Sequence, residues 1–207
     1  MTRLRNFRNN SGLNNGVLLS SCTSSYELSS NLNNSVTSTT LSSNSSTVFV
    51  NELYKRCYSF TGGLYSSENW ITLQPLTLSN NMSASIWVKP TNFQNYTRIW
   101  EYGNFRLNIR SSNSLIFNDF MIISVSGGLS SWTHICVTIN GLDVFVYING
   151  IFIKSGTMSS ILTNTVTTCY LGHSLSSTDS NYVGFMKQFK LFNITLSADQ
   201  VTMVYNQ

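Results

Sequence analysis

Charge is scarce in this 207-residue chain: only 10% of it is Asp, Glu, Lys or Arg, against about a quarter in an ordinary soluble domain. There are two prolines, two histidines and four cysteines, Cys22, Cys57, Cys136 and Cys169, all far apart. Without a C-x-x-C pair, a zinc ribbon or a thioredoxin-like motif is excluded. If oxidised the four thiols allow three connectivities, and otherwise they are small buried hydrophobes, the expectation taken here. No apolar run approaches the roughly 20 residues of a membrane-spanning helix. The opening MTRLRNFRNNSG lacks the apolar stretch of a signal peptide, so the chain is expected to stay where it is made or to leave inside a larger particle.

What fills the space is serine, asparagine and threonine, together about two-fifths of the residues, with 13% aromatics. Short hydroxyl and amide side chains compete with the backbone for hydrogen bonds and disfavour helix, while aromatic and β-branched residues suit strands. The expected class is all-β.

Residues 1–47 stand apart as a Ser/Asn/Thr-rich tract that by composition cannot bury a core of its own. It is expected to be an extended arm, laid on a neighbour or left as a linker. Its basic tip, Arg3, Arg5 and Arg8, suits an acidic surface, and Leu13, Val17, Leu19, Tyr26 and Leu28 are spaced as single plugs for shallow pockets. No basic stripe continues into residues 48–207, so nucleic acid is not the expected partner.

From VFVNELYKRCYSF onward, short β-rich runs alternate with turn signals such as Asn140-Gly141 and Asn149-Gly150, which tolerate the positive φ of a two-residue hairpin loop. About a dozen strands at this spacing predict an antiparallel two-sheet sandwich. In WTHICVTI, Ile135, Val137 and Ile139 share one face and Trp132, His134, Cys136 and Thr138 the other, so this strand is expected to be buried on both sides. His134 and Cys136 fall short of the three or four ligands a zinc or copper site needs. LSADQVTMVYNQ carries a capping box, Ser197 with Gln200, and predicts a short C-terminal helix with Val201 and Val204 inward.

Three segments resemble the laminin-G-like domains of the concanavalin A-like superfamily, pentraxins included. WTHICVTINGLDVFVYINGIFIKSG is similar to the family hairpin that opens on Trp132, His134 and Cys136 and turns at Asn149-Gly150. CYLGHS resembles the strand after it, and NYVGFMKQFKLFNITLSADQVTMVYN resembles the closing unit. The resemblance covers roughly residues 57–207. It implies a jelly-roll sandwich that binds glycan or protein rather than performing catalysis. In pentraxins the cysteine of the His-x-Cys motif pairs with one in an early strand, but the matching SASIWV has none. The loop that carries pentraxin calcium ligands reads HSLSSTDSN, with Asp179 its one carboxylate, so no calcium or other cofactor is expected.

For function, the carboxylates are isolated, with no acid-x-acid pair to flank a glycosidic bond, and neither a nucleophile elbow nor a phosphate loop is present. The expectation is a non-enzymatic interaction protein: a virion component whose arm binds neighbouring capsid subunits, as such domains occur in virions of large DNA viruses. The alternative is a lectin-like module for cell-surface attachment, secreted or surface-bound by another route. Its ligand loop would offer His173, Ser176, Asp179 and Asn181, and Trp70, Tyr96, Trp100 and Tyr102 are candidate sugar-stacking rings, with Trp87 and Trp100 also reading as core.

Overall fold

The computed structural model describes residues 20–29, 31–37, 39–43, 49–52, 55–61, 69–94 and 96–207. Chain order gives β1 Cys22–Tyr26, β2 Ser42–Ser43, β3 Phe49–Glu52, β4 Lys55–Thr61, β5 Ile71–Thr72 and β6 Leu76–Thr77. Next come β7 Asn81–Pro90, β8 Thr97–Tyr102, β9 Phe105–Ser111, β10 Ser114–Phe117, β11 Met121–Ser124 and β12 Thr133–Asn140. The remainder are β13 Asp143–Ile148, β14 Ile151–Thr157, β15 Thr165–Val166, β16 Tyr170–Leu171, β17 Val183–Phe192 and the helix α1, Ala198–Tyr205. One antiparallel sheet runs β14-β13-β12-β7-β17-β4-β3, and a second runs β11-β10-β9-β8-β16-β5-β2, with β15 and β6 as a small separate pair. The sandwich predicted from turn spacing is the fold observed.

Alternation explains the layers. Ile135, Val137 and Ile139 of β12 enter one core cluster together with Leu107, Ile109, Leu115 and Phe117 of the other sheet. On the outer face of β12, Cys136 joins a second cluster with Tyr147, Phe192, Leu196, Val201 and Val204, which α1 covers. Both faces of β12 are thus buried, as its sequence predicts. The helix starts as expected: Gln200 N donates to Ser197 Oγ at 3.3 Å, and Ser197 N donates to Gln200 Oε1 at 2.8 Å. Ser85 stands opposite Cys136 in the β7–β12 register, in the stretch where the pentraxin likeness would need a second cysteine. All four cysteines are free thiols, and burial pushes those of Cys136 and Cys169 up in pKa.

His134 packs against Trp87 and Tyr205, with ring centroids 5.4 Å and 5.6 Å away. Burial lowers its pKa to about 3, with Lys190 adding to the effect, so the ring is a neutral core group. Lys187 Nζ sits 5.0 Å from the Trp87 ring and 4.5 Å from the Trp132 ring. The hairpin turns divide. Asn149 (φ 52°) and Gly150 (φ 79°) form the β13–β14 loop as predicted. In the β12–β13 turn Asn140 pairs with Asp143, so the loop residues are Gly141 and Leu142, and only Gly141 needs positive φ (64°).

The segment expected as an arm departs furthest from the reading of its composition. Arg3, Arg5, Arg8, Leu13, Val17 and Leu19 lie outside the described residues. Cys22–Tyr26, however, pairs antiparallel with β17, with Tyr26 opposite Phe189. Tyr26, Leu28, Leu32 and Leu41 all belong to the main core cluster. Asn34, itself buried, holds the returning chain: its Oδ1 accepts from Ser25 N at 3.1 Å and Val36 N at 2.9 Å, and its Nδ2 donates to Tyr26 OH at 3.3 Å. These four widely spaced apolar residues are buried in the chain's own sandwich. The sandwich therefore takes in residues ahead of the boundary at 47 that composition suggests.

Candidate functional site

On β9, Phe105, Leu107 and Ile109 are buried in the core, so Arg106, Asn108 and Arg110 project from the opposite, outer face. On β8, Arg98 and Glu101 are three residues apart and would ordinarily face opposite ways. A register shift between Arg98 and Trp100 supplies the extra residue of a bulge, which sends Ile99 and Trp100 inward and leaves Arg98 and Glu101 together outside.

The loop 172–182 is pinned to this pair. Arg98 is only 4% exposed. Its Nη1 donates to Asn108 Oδ1 at 2.5 Å, and its Nη2 donates to Ser174 Oγ at 2.9 Å and Asp179 Oδ2 at 2.6 Å. Its Nε lies 3.0 Å from Glu101 Oε2, an ion pair by distance but off-axis for a hydrogen bond. Glu101 Oε2 also accepts from Leu175 N at 3.2 Å, and Ser174 Oγ donates to Asp179 Oδ2 at 2.8 Å. Burial lowers the Arg98 pKa, and Glu101 and then Asp179 oppose that fall. Alongside, Arg106 pairs with Asp119.

At the base of the loop, three rings form a cluster. His173 stacks on Trp70 with centroids 4.1 Å apart and planes at 15°, and Tyr170 meets His173 edge-on at 4.9 Å and Trp70 at 6.3 Å. Asn181 Oδ1 accepts from Ser174 N at 3.4 Å and lies 2.8 Å from His173 Nδ1. A backbone N–H can only donate, so this oxygen is the acceptor and Nδ1 carries the proton. All three rings are half-buried, and Leu175 beside them is 56% exposed.

Of the four loop residues expected to meet a ligand, His173 and Asn181 come together at the rings. Asp179 turns inward onto Arg98, and Ser176 lies exposed at the loop tip, bonded to Thr178. Among the stacking candidates, Trp70 joins the cluster and Tyr96 is exposed at a turn, whereas Trp100 and Tyr102 are fully buried in the core. Burial agrees with the core reading of Trp100 and corrects the stacking assignment of Tyr102. Sequence reasoning missed Arg98, because a bulge has no signature in residue types. The loop does not fit a calcium ion, which asks for six to eight oxygens: its one carboxylate already holds a guanidinium, and no group of three His, Cys, Asp or Glu gathers among the described residues.

A family profile described as the concanavalin A-like lectin/glucanases superfamily matches residues 65–202. Domain 4 of AbnA, an extracellular GH43 arabinanase from Geobacillus stearothermophilus solved with arabinotriose, superposes with a TM-score of 0.67 at 19% identity, covering 89% of this chain and 98% of that one. Botulinum neurotoxin type C, whose structure concerns interaction with two ganglioside molecules, gives a TM-score of 0.73 at 15% identity, covering 93% of this chain and 52% of the other. The binding domain of Paraclostridial Mosquitocidal Protein 1 gives 0.66 at 16% identity, covering 91% and 52%. The chain thus spans about half the length of the two toxin chains and nearly all of the arabinanase domain. No curated protein matches it in sequence. At these identities the neighbours share the fold, and the family match over residues 65–202 makes this chain a member of the concanavalin A-like lectin/glucanases superfamily.

Proposed function

We propose that this domain is a non-catalytic, lectin-like module that binds glycan at the Trp70–Tyr170–His173 cluster. The observation that carries the reading is the ring cluster itself, held at the base of a loop that Arg98 fixes in place. Half-buried aromatic rings suit the C–H face of a sugar, and the hydroxyls and amides of the adjoining loop suit its hydroxyls. Neighbours solved with arabinotriose or concerned with gangliosides support this choice of ligand class. The carboxylates argue against hydrolysis. Glu101 and Asp179 converge on the same guanidinium and Asp119 on another, so these three acids offer no free pair to flank a glycosidic bond. The test is a glycan array followed by calorimetry on the full chain. Trp70→Ala is expected to weaken binding by about 2 kcal/mol, roughly thirtyfold, with an unchanged fold. Equal affinity of the variant and the parent sinks the assignment.

A second reading, an assembly component such as a virion protein contacting neighbouring capsid subunits, is favoured by one observation. The edge strand β14 exposes Ile151 (67%), Phe152 (50%) and Ile153 (39%) in succession, an apolar strip of the kind found at protein contacts. Sedimentation of the full chain across a concentration series checks it: self-association that β14 charge substitutions abolish supports the reading, and a monomer throughout that captures no capsid protein removes it.

A further inference from the structure

A groove of about 730 Å³ opens where β11, the edge of one sheet, meets the side of β14, the edge of the other. Ser112, Asn113, Ser124, Ser126 and Ser130 line it, with bare glycine backbone at 127–128 and Ile153 on the β14 side. It lies away from the ring cluster. In the sheet order β10, β9 and β8 separate β11 from β16, which at strand spacing is about 19 Å.

Two properties select the occupant. An extended peptide would enter such a place by adding a strand, yet both edges are defended against that. Lys154 Nζ donates to the Ile122 carbonyl at 3.0 Å, taking an edge acceptor. The β13–β14 register slips between Val146 and Tyr147, which bends the edge strand. A lysine and a bulge are the usual devices against edge pairing. What the groove does offer is hydroxyl and amide side chains, open backbone and a small apolar patch at Ile153, with no charged side chain among its described lining residues. Such a lining matches a ligand that is rich in hydroxyls and uncharged, and the volume falls within the range of about 300–1,000 Å³ usual for small-ligand sites.

We infer that this groove is a second ligand site, distinct from the Trp70 cluster, that takes a short neutral oligosaccharide. The inference rests on the glycan-binding reading of the domain but places the ligand elsewhere, so the two are read separately in one experiment. The isotope-labelled full chain is titrated with arabinotriose, maltotriose and 3′-sialyllactose while its backbone amides are followed by NMR. At least one neutral trisaccharide is expected to move the amides of residues 112–113 and 124–130 saturably, with 3′-sialyllactose at least tenfold weaker there. Ser124→Trp and Ser130→Trp, both at exposed positions, each fill the groove. Each is expected to weaken this response at least tenfold while a dispersed spectrum reports an intact fold. The site is overturned if no neutral probe moves the groove amides, if the sialylated probe moves them as strongly, or if their shifts follow protein concentration instead, the mark of a second copy. A response confined to residues 70 and 170–182 leaves the first site standing and removes this one. A response confined to the groove does the reverse.

Discussion

Arg98 and Asp179, 81 positions apart in sequence, meet at 2.6 Å between Nη2 and Oδ2, and the same guanidinium lies 3.0 Å from Glu101. One buried cation therefore sets the position of a loop from another part of the chain, and with it the position of His173. The arrangement is costly to assemble, because three charged groups leave water together, and it is correspondingly costly to break.

Removing that cation leaves two neighbouring carboxylates, Glu101 and Asp179, without their counter-charge. Arg98→Met is expected to destabilise the fold by about 3–5 kcal/mol, read by urea denaturation. Arg98→Lys should recover part of the loss, since one ammonium cannot replace guanidinium bonds to Asn108, Ser174 and Asp179 at once. A loss below about 1 kcal/mol for the Met variant contradicts the role given to the network.

His134 makes stability depend on acid. Its folded pKa, about 3, lies below the unfolded value of about 6.5, so the unfolded chain binds the proton more tightly. The stabilisation is complete above pH 6.5 and drains away as pH falls from there toward 3. At pH 4.5 the expected loss is about 2–3 kcal/mol relative to pH 7. His134→Phe keeps a ring against Trp87 and Tyr205 and should flatten that part of the profile. An identical slope in parent and variant assigns the acid lability elsewhere.

The parts legible in the sequence are those where local chemistry and tertiary demand agree. Asn149-Gly150, the two-faced alternation of WTHICVTI and the Ser197–Gln200 box each specify their geometry within a few residues. Trp100 reads both ways because an aromatic in a β-patterned run suits either a core or a platform, and the bulge at Ile99 decides the matter. The N-terminal tract misleads for a related reason. Composition measures whether a segment can bury itself, whereas Tyr26 and Leu28 are buried by β17 and the surrounding core. Among the loop candidates, His173 and Asn181 meet at the rings while Asp179 turns inward, a division set by Arg98, whose role no local pattern reveals.

Gly172 sits where the loop leaves β16, with φ at 78° and its N–H donating to the Ile99 carbonyl at 3.0 Å. A Cβ here would meet the Phe60 ring at 2.5 Å, a contact that has to be relieved by moving either the ring or the loop. Gly172→Ala is therefore expected to cost about 1–2 kcal/mol from the left-handed backbone alone, plus whatever the clash adds. Because the displaced segment carries His173, binding at the ring cluster should weaken along with stability. A variant as stable as the parent, with unchanged glycan affinity, would show that the loop base adapts freely.

Leu28 tests whether the early segment belongs to the domain. It is fully buried with φ at 53°, a backbone conformation that a leucine adopts only when its surroundings hold it there. The neighbouring Glu27 carbonyl accepts from Gln188 N at 3.0 Å, which ties this turn to β17. Leu28→Ala removes an enclosed side chain and is expected to cost about 2–5 kcal/mol, a drop comparable to that of a central-strand core residue such as Ile135. Limited proteolysis supplies the second readout: in the parent, residues 20–43 should resist cleavage as long as the sandwich does, and in the variant they should be lost first. Cleavage of the parent within 20–43 ahead of the sandwich would return the segment to the status of a separable arm.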